Sequence, residues 1–310
     1  MCTRKDILAT LTYFNLFDYP LKRREIFVFL GNTCSSNEFD DALSLLVDDA
    51  VVYRIGEFYS LRNEYSLSQR RTRGNEKARL MLKKADKAAR IISHFPYVRG
   101  VAVSGSLSKN YADDTADIDF FIITAANRLW VSRSFLHLFK KLTFLFNRQH
   151  YFCMNYFIDE AGKEIIEKNI YTATEIVTLL PLRGGNVFDE FYAANSWTMN
   201  FLPNNFLRNS PAGNLPGTWV KKLLEKLFNN KTGDKLDTYL MNLTSKSWGM
   251  KTNNQKKNKR GIVMSLKASR HYSKPDPANF QFKLLKLYEN NLEAVYSGME
   301  RSGWVEKEFL

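Results

Sequence analysis

Cysteine is scarce in this chain: it occurs only as Cys2, Cys34 and Cys153, with no metal-ligand spacing between them. Neither a disulfide framework nor a cysteine zinc site is expected, and a reducing cytoplasm is the compartment that fits. Long apolar runs are missing as well. The most apolar stretch, Leu129 to Phe146, is broken by Arg133, Lys140 and Lys141. It predicts a buried helix in place of a membrane span, so no membrane partner is expected. The first residues lead straight into an amphipathic pattern, without a visible secretory signal. There is no Gly-x-x-x-x-Gly-Lys-Ser/Thr loop, no dinucleotide fingerprint and no internal repeat. The histidines (His94, His137, His150 and His271) are scattered, with no ligand pair at helical spacing, and read as packing or surface residues.

What remains is the composition of a folded protein. Hydrophobic residues make up 45% and charged residues 25% of 310 positions, enough for a core and for two domains. The net charge of +13 is concentrated in two tracts. Residues 70–90 hold nine Lys/Arg against two acids, and residues 217–260 hold eleven against three. Such tracts are either solvated faces or a positive field for a polyanion.

Along the chain, residues 1–62 read as a winged-helix-like domain. Ile7, Leu8, Leu11 and Phe14 form a helical stripe, Asp18-Tyr19-Pro20 a turn, and Leu21 to Leu30 a second helix. Ser35 or Ser36 caps a third helix carrying Phe39, Ala42, Leu43 and Leu46 on one face. Strands at Val51–Ile55 and Phe58–Leu61 flank Gly56-Glu57. The third helix holds Glu38, Asp40, Asp41, Asp48 and Asp49 and no Lys or Arg, a face that phosphates would repel. Protein contact or domain docking is the expected role, and nucleic acid is not a favoured partner. Residues 63–74 read as a polar linker. A helix follows at 75–94, then strands at Gly100–Val103, Ile118–Thr124 and Tyr151–Ile158, with a helix at about 127–147. From 161 to 310 the pattern is mostly helical, with a mobile basic loop at 251–260.

Chemistry concentrates in Val101-Ala-Val-Ser-Gly-Ser-Leu-Ser-Lys109 and Asp117-Ile-Asp-Phe-Phe-Ile-Ile123. Alternate strand residues share a face, so Asp117 and Asp119 point one way while Ile118 and Phe120 enter the core. Two adjacent carboxylates repel unless a cation lies between them, and oxygen ligands at this spacing suit Mg²⁺. Gly105 ends an apolar strand where the backbone can approach a phosphate closely; Ser106 offers a hydroxyl and Lys109 a positive charge. Strand, Gly-Ser, spacer and Asp-x-Asp on a second strand together predict a metal–nucleoside triphosphate site.

On these residues the chain resembles the DNA-polymerase-β-like nucleotidyltransferase superfamily, over about 75–160. It is also similar to nucleotidyltransferase-domain proteins of unassigned substrate. The resemblance implies an α+β fold: a small mixed sheet flanked by helices, with the winged-helix-like front and the helical C-terminal region beside it. It implies two magnesium ions, with Asp117 and Asp119 touching the one on the nucleotide side. It also implies transfer of a nucleoside monophosphate to an unknown acceptor, with pyrophosphate released. The superfamily pattern wants a third carboxylate on a later strand. Phe152 to Asp159 is predicted to put Cys153, Asn155, Phe157 and Asp159 on one face, leaving Asp159 and Asn155 as rival candidates. An asparagine there points to a catalytically degenerate module that binds or senses nucleotide. Glu175 can reach such a site but reads first as exposed or capping, and Cys153 reads as a small core residue.

Overall fold

The computed structural model describes residues 4–146, 149–205, 212–258, 263–276 and 278–301. It is a mixed α+β structure containing one three-stranded and one six-stranded sheet. At the front, α1 (Arg4–Asn15), α2 (Arg23–Val28) and α3 (Ser36–Asp48) enclose Ile7, Leu8, Leu11, Phe39, Leu43 and Leu46. Ser35 caps α3: its hydroxyl accepts the Glu38 N–H, and Glu38 reaches back to the Ser35 N–H, satisfying two donors that a helix start leaves open. The small sheet runs β1 (Leu21–Lys22), β3 (Phe58–Ser60), β2 (Tyr53–Ile55), all antiparallel. Leu21 and Lys22 therefore form a strand where helix was expected.

The polar stretch 63–74 is not a linker. A single helix, α4 (Tyr65–Ser93), runs through it, because Leu67, Arg71 and Gly74 lie on the face that continues to Ala78, Met81 and Ala85. Arg71 is buried and ties front to core. It donates to the Pro20 carbonyl at 2.8 Å and to Glu25 Oε1 at 2.7 Å, and its guanidinium lies 3.7 Å from the Tyr19 ring centroid. Gly74 leaves room for the Tyr111 ring, which an added Cβ would meet at 2.2 Å.

The large sheet is built from β4 (Val98–Val103), β5 (Asp119–Thr124), β6 (Cys153–Asp159), β7 (Leu180–Arg183), β8 (Ser265–Ala268) and β9 (Tyr272–Asp276), in the order β7-β4-β5-β6-β9-β8. Among the strands of the described residues only β5 and β6 pair in parallel, joined by the crossover helix α6 (Leu129–Thr143). Val101, Val103, Phe120, Ile122, Met154 and Phe157 pack on one face against α4 and α6. Ala102, Phe121, Ile123 and Ile158 pack on the other, against α7 (Ile170–Val177) and α8 (Gly185–Ala194). Burial on both faces explains why Gly100–Val103 of β4 and Phe120–Ile123 of β5 read as apolar runs.

The expectation of a mostly helical region after 161 is corrected in one respect: three of the six strands come from it. These strands are only four or five residues long, two of them, β7 and β8, lie at the edges of the sheet, and their alternation is too weak to read. The same region supplies α9 (Trp219–Phe228), α10 (Lys231–Asn253) and α11 (Phe280–Arg301). The last packs back on α1, where the Tyr288 and Tyr13 ring centroids stand 5.5 Å apart. The basic stretch 251–260 begins as the end of α10, and Lys257 bridges to Val263; residues 259 and 260 lie outside the described residues.

Candidate functional site

The end of β4, a four-residue helix α5 (Gly105–Ser108), and the start of β5 meet at one corner of the large sheet. The Ser104 N–H donates to the Asp119 carbonyl at 2.9 Å, fixing the two strand ends together. Gly105 follows with φ +69°, and an added Cβ would lie 2.9 Å from Asp119 Oδ2. Glycine is therefore required twice, by backbone conformation and by the carboxylate against its Cα. Ser106 is exposed beside it. Asp117 lies one residue before Ile118, whose N–H and C=O bond to His150 and Cys153, and its Oδ1 is 2.6 Å from His150 Nδ1. Asp117 thus precedes the strand, and Asp119 opens it.

Asp119 is surrounded by groups that disfavour its charge. Burial, followed by the neighbouring carboxylates Asp117 and Glu175, pushes it up from 3.8 to about 6, against the opposing pull of Cys153 and Lys140. Its Oδ1 accepts a hydrogen bond from Asn155 Nδ2 at 2.5 Å. The Cys153 thiol donates to Asn155 Oδ1 at 3.2 Å and accepts from Lys140 Nζ at 3.6 Å. Burial, then the negative charge of Asp119, raises that thiol to about 11, so it is a poor nucleophile.

The two rival third residues are separated by a β-bulge. Phe120 pairs with Met154 but Phe121 pairs with Tyr156, leaving Asn155 as the extra residue of β6. The bulge resets the alternation, so Asn155 lies on the Asp119 side while Phe157 packs on the opposite face. The expected single face of Cys153, Asn155, Phe157 and Asp159 is corrected accordingly. Asp159 pairs with Thr124, five residues along the strand from Asp119, or ~17 Å at the usual rise. Its buried carboxylate is occupied there, accepting the N–H groups of Asn127, Ala161 and Gly162 and facing His271 Nδ1 at 3.0 Å. The structure brings Asn155 to the site and keeps Asp159 away from it.

Lys109 turns inward. Its Nζ donates to the Gly105 carbonyl at 3.1 Å and to Glu175 Oε1 at 2.7 Å. Both Glu175 and His150 were read as peripheral in the sequence; their placement depends on α7 and on a short turn before β6, which no local spacing reveals. A cavity of about 200 Å³ opens here, its lining including Gly105, Asp119, Asn155, Tyr171, Glu175 and Asp276.

Among the described residues no group of three or more His, Cys, Asp or Glu converges as a metal-ligand set. The donors at the corner nevertheless fit one hard dication. Two carboxylates, Asp117 and the Asp119 that burial first and the Asp117 charge after it push up, would supply part of its shell, and water and phosphate the rest. A second ion does not fit equally well, because an amide nitrogen occupies the position beside Asp119. No family model, curated protein or solved structure matches this chain.

Proposed function

We propose that this corner binds a magnesium–nucleoside triphosphate, and that the protein transfers the nucleoside monophosphate to a hydroxyl or phosphate of an unknown acceptor, releasing pyrophosphate. The observation that carries the reading is the contact of Gly105 with Asp119: a left-handed glycine pressed against a carboxylate of raised pKa, with Asp117 beside it, at the mouth of a cavity. Asp117 and Asp119 would hold the magnesium ion, which neutralises phosphate charge and polarises the phosphoryl group. Gly105 leaves space for a phosphate at the backbone, and Ser106 presents its hydroxyl there. Lys109 places its positive charge beside Gly105, donating to the Gly105 carbonyl and to Glu175. The acceptor would enter the cavity from the Tyr171 and Glu175 side.

In the same reading the large sheet is the nucleotidyltransferase core, operating in the cytoplasm. The front unit is a winged helix whose acidic α3 serves protein contact instead of DNA. A second reading is favoured by Asn155: a nucleotidyltransferase-like module that binds or senses the nucleotide without turnover, for want of a carboxylate at that position of β6.

Calorimetry with ATP, GTP, CTP and UTP, with and without Mg²⁺, on the intact chain and an Asp117→Ala/Asp119→Ala variant tests the site. Magnesium-dependent binding that the variant loses supports it; failure of every triphosphate to bind removes both readings. Pyrophosphate release in the presence of a metabolite extract separates transfer from sensing.

A further inference from the structure

Helix α9 is turned inside out. Amphipathic helices ordinarily bury their apolar stripe, yet here polar side chains make much of the contact with the body. Lys221 is buried and donates to the Ser93 and Val98 carbonyls, at 2.9 Å each. Glu225 accepts the Tyr97 N–H at 2.7 Å and pairs with Arg99 at 2.8 Å. The outward arc carries Trp219, Leu223, Leu227 and Val220; Trp219 is 75% exposed and the other three are 45% to 56% exposed. Helix α10 repeats the arrangement. Its inward side is anchored by Asp234 on Arg128 and by buried Asp237 on the Val131 N–H. Its outward side shows Tyr239, Leu243 and Met250, each at least half exposed and spaced to fall in one stripe.

Charge is sorted the same way. All three acids of the two helices are engaged by groups of the body, while Lys222, Lys226, Lys231, Lys235 and Lys246 are exposed. On the helical wheel Lys222 and Lys226 border the α9 stripe, and Lys235 and Lys246 border the α10 stripe. A face that is apolar along its middle and cationic along its margin matches the layers of an anionic bilayer, acyl chains beneath and headgroups above. Trp219 and Tyr239 are the side chains that favour such an interface. A second copy would bring the same basic margin, with no outward acid on either helix to answer it.

We infer that α9 and α10 form a docking face for an anionic lipid surface. No helix among the described residues is long and apolar enough to cross a membrane, and this face lies on the bilayer without crossing it. The inference is independent of the nucleotide site.

The test is co-sedimentation of the full chain with vesicles of phosphatidylcholine alone and of phosphatidylcholine doped with phosphatidylglycerol. The chain should bind only the doped vesicles, less tightly as salt rises, with a blue shift in tryptophan emission. Lys222→Glu/Lys226→Glu should weaken binding by more than tenfold, since each basic residue near the surface contributes roughly fivefold. Trp219→Ser/Leu223→Ser/Leu227→Ser should abolish it while circular dichroism and the melting temperature stay unchanged, the three side chains being exposed. Absence of vesicle binding, equal binding to neutral vesicles, or full binding by either variant overturns the inference. A dimer dispersed by the serine variant, in a chain that ignores vesicles, overturns it in favour of a protein partner.

Discussion

Asp119→Asn should make the metal-free protein more stable while destroying its affinity for a dication. In the fold, Asp119 is raised from 3.8 to about 6, by burial first and by Asp117 and Glu175 after the opposing effect of Cys153. A group whose folded pKa is raised contributes stability that is complete below its unfolded value and is lost as pH climbs through the folded value. For Asp119 that loss runs from about pH 4 to pH 6 and amounts to about 3 kcal/mol at neutral pH, taking 1.36 kcal/mol per pKa unit. Partial exposure lowers the figure, and the new amide needs an acceptor of its own, so a net gain of about 1–2 kcal/mol is expected. The retained Oδ1 still accepts from Asn155, which keeps the local geometry.

The assay is thermal denaturation of both proteins from pH 4 to pH 8 in EDTA, repeated with saturating Mg²⁺. In EDTA the variant should melt about 2–8 °C higher at pH 7.5, at about 2–4 °C per kcal/mol, the lower end being expected for a chain of 310 residues. The difference should shrink to nothing near pH 4. Magnesium should raise the melting temperature of the parent and leave the variant where it was. A difference that stays constant from pH 4 to pH 8, or a parent more stable than the variant at pH 7.5 in EDTA, refutes the claim that the fold strains this carboxylate.

Two further substitutions probe the frame around the site. Gly105→Ala forces a side chain into a left-handed conformation and towards Asp119 Oδ2, costing about 1–2 kcal/mol. Magnesium-dependent triphosphate binding should fall by more than that stability loss explains, which calorimetry beside a urea melt would show. Arg71→Met removes the cation from Glu25 Oε1 and the donor from the Pro20 carbonyl, and should cost about 2–4 kcal/mol, below the full value for a buried pair because Glu25 keeps the Lys22 N–H and some solvent contact. Limited proteolysis should then cut between the front unit and α4, and an unchanged urea midpoint would argue against Arg71 as the tie.

Much of the corner was legible in the sequence because it rests on local rules. Gly105 after an apolar strand and Asp119 opening another are statements about adjacent residues, and the strand-start positions came within a residue or two. The helices of the front unit follow from spacing and from the Ser35 cap. What could not be read depends on contacts distant in sequence. The bulge at Asn155 reverses the alternation that seemed to align Asp159 with the site, and its only trace is a register shift between β5 and β6. Strands β7, β8 and β9 join the sheet through pairing with distant partners. Residues 63–74 read as a linker because the stretch is polar, Arg71 included. Its burial becomes favourable only when Glu25, Pro20 and Tyr19, some fifty residues away, are brought to it.

Asn155→Asp then asks whether the corner is organised around cations at all. The Asn155 amide donates to Asp119 at 2.5 Å, so an aspartate there puts two carboxylate oxygens where a donor and an acceptor now meet. Without a cation the two cannot both ionise, and one proton is retained into the neutral range. The metal-free variant should lose about 1–3 kcal/mol above pH 6, one or two further pKa units at 1.36 kcal/mol each, and recover most of it near pH 4. A dication reverses the sign, because the repulsion becomes ligation by three carboxylates, Asp117, Asp119 and the introduced one. Paramagnetic Mn²⁺ titration should therefore show at least tenfold tighter binding than the parent, or a second equivalent where the parent takes one. If pyrophosphate release appears only in this variant, the native asparagine is what holds the module to binding without turnover. Destabilisation above pH 6 with no gain in Mn²⁺ affinity would mean that Asp119 is strained for a reason other than metal, and the proposed nucleotide site would lose its main support.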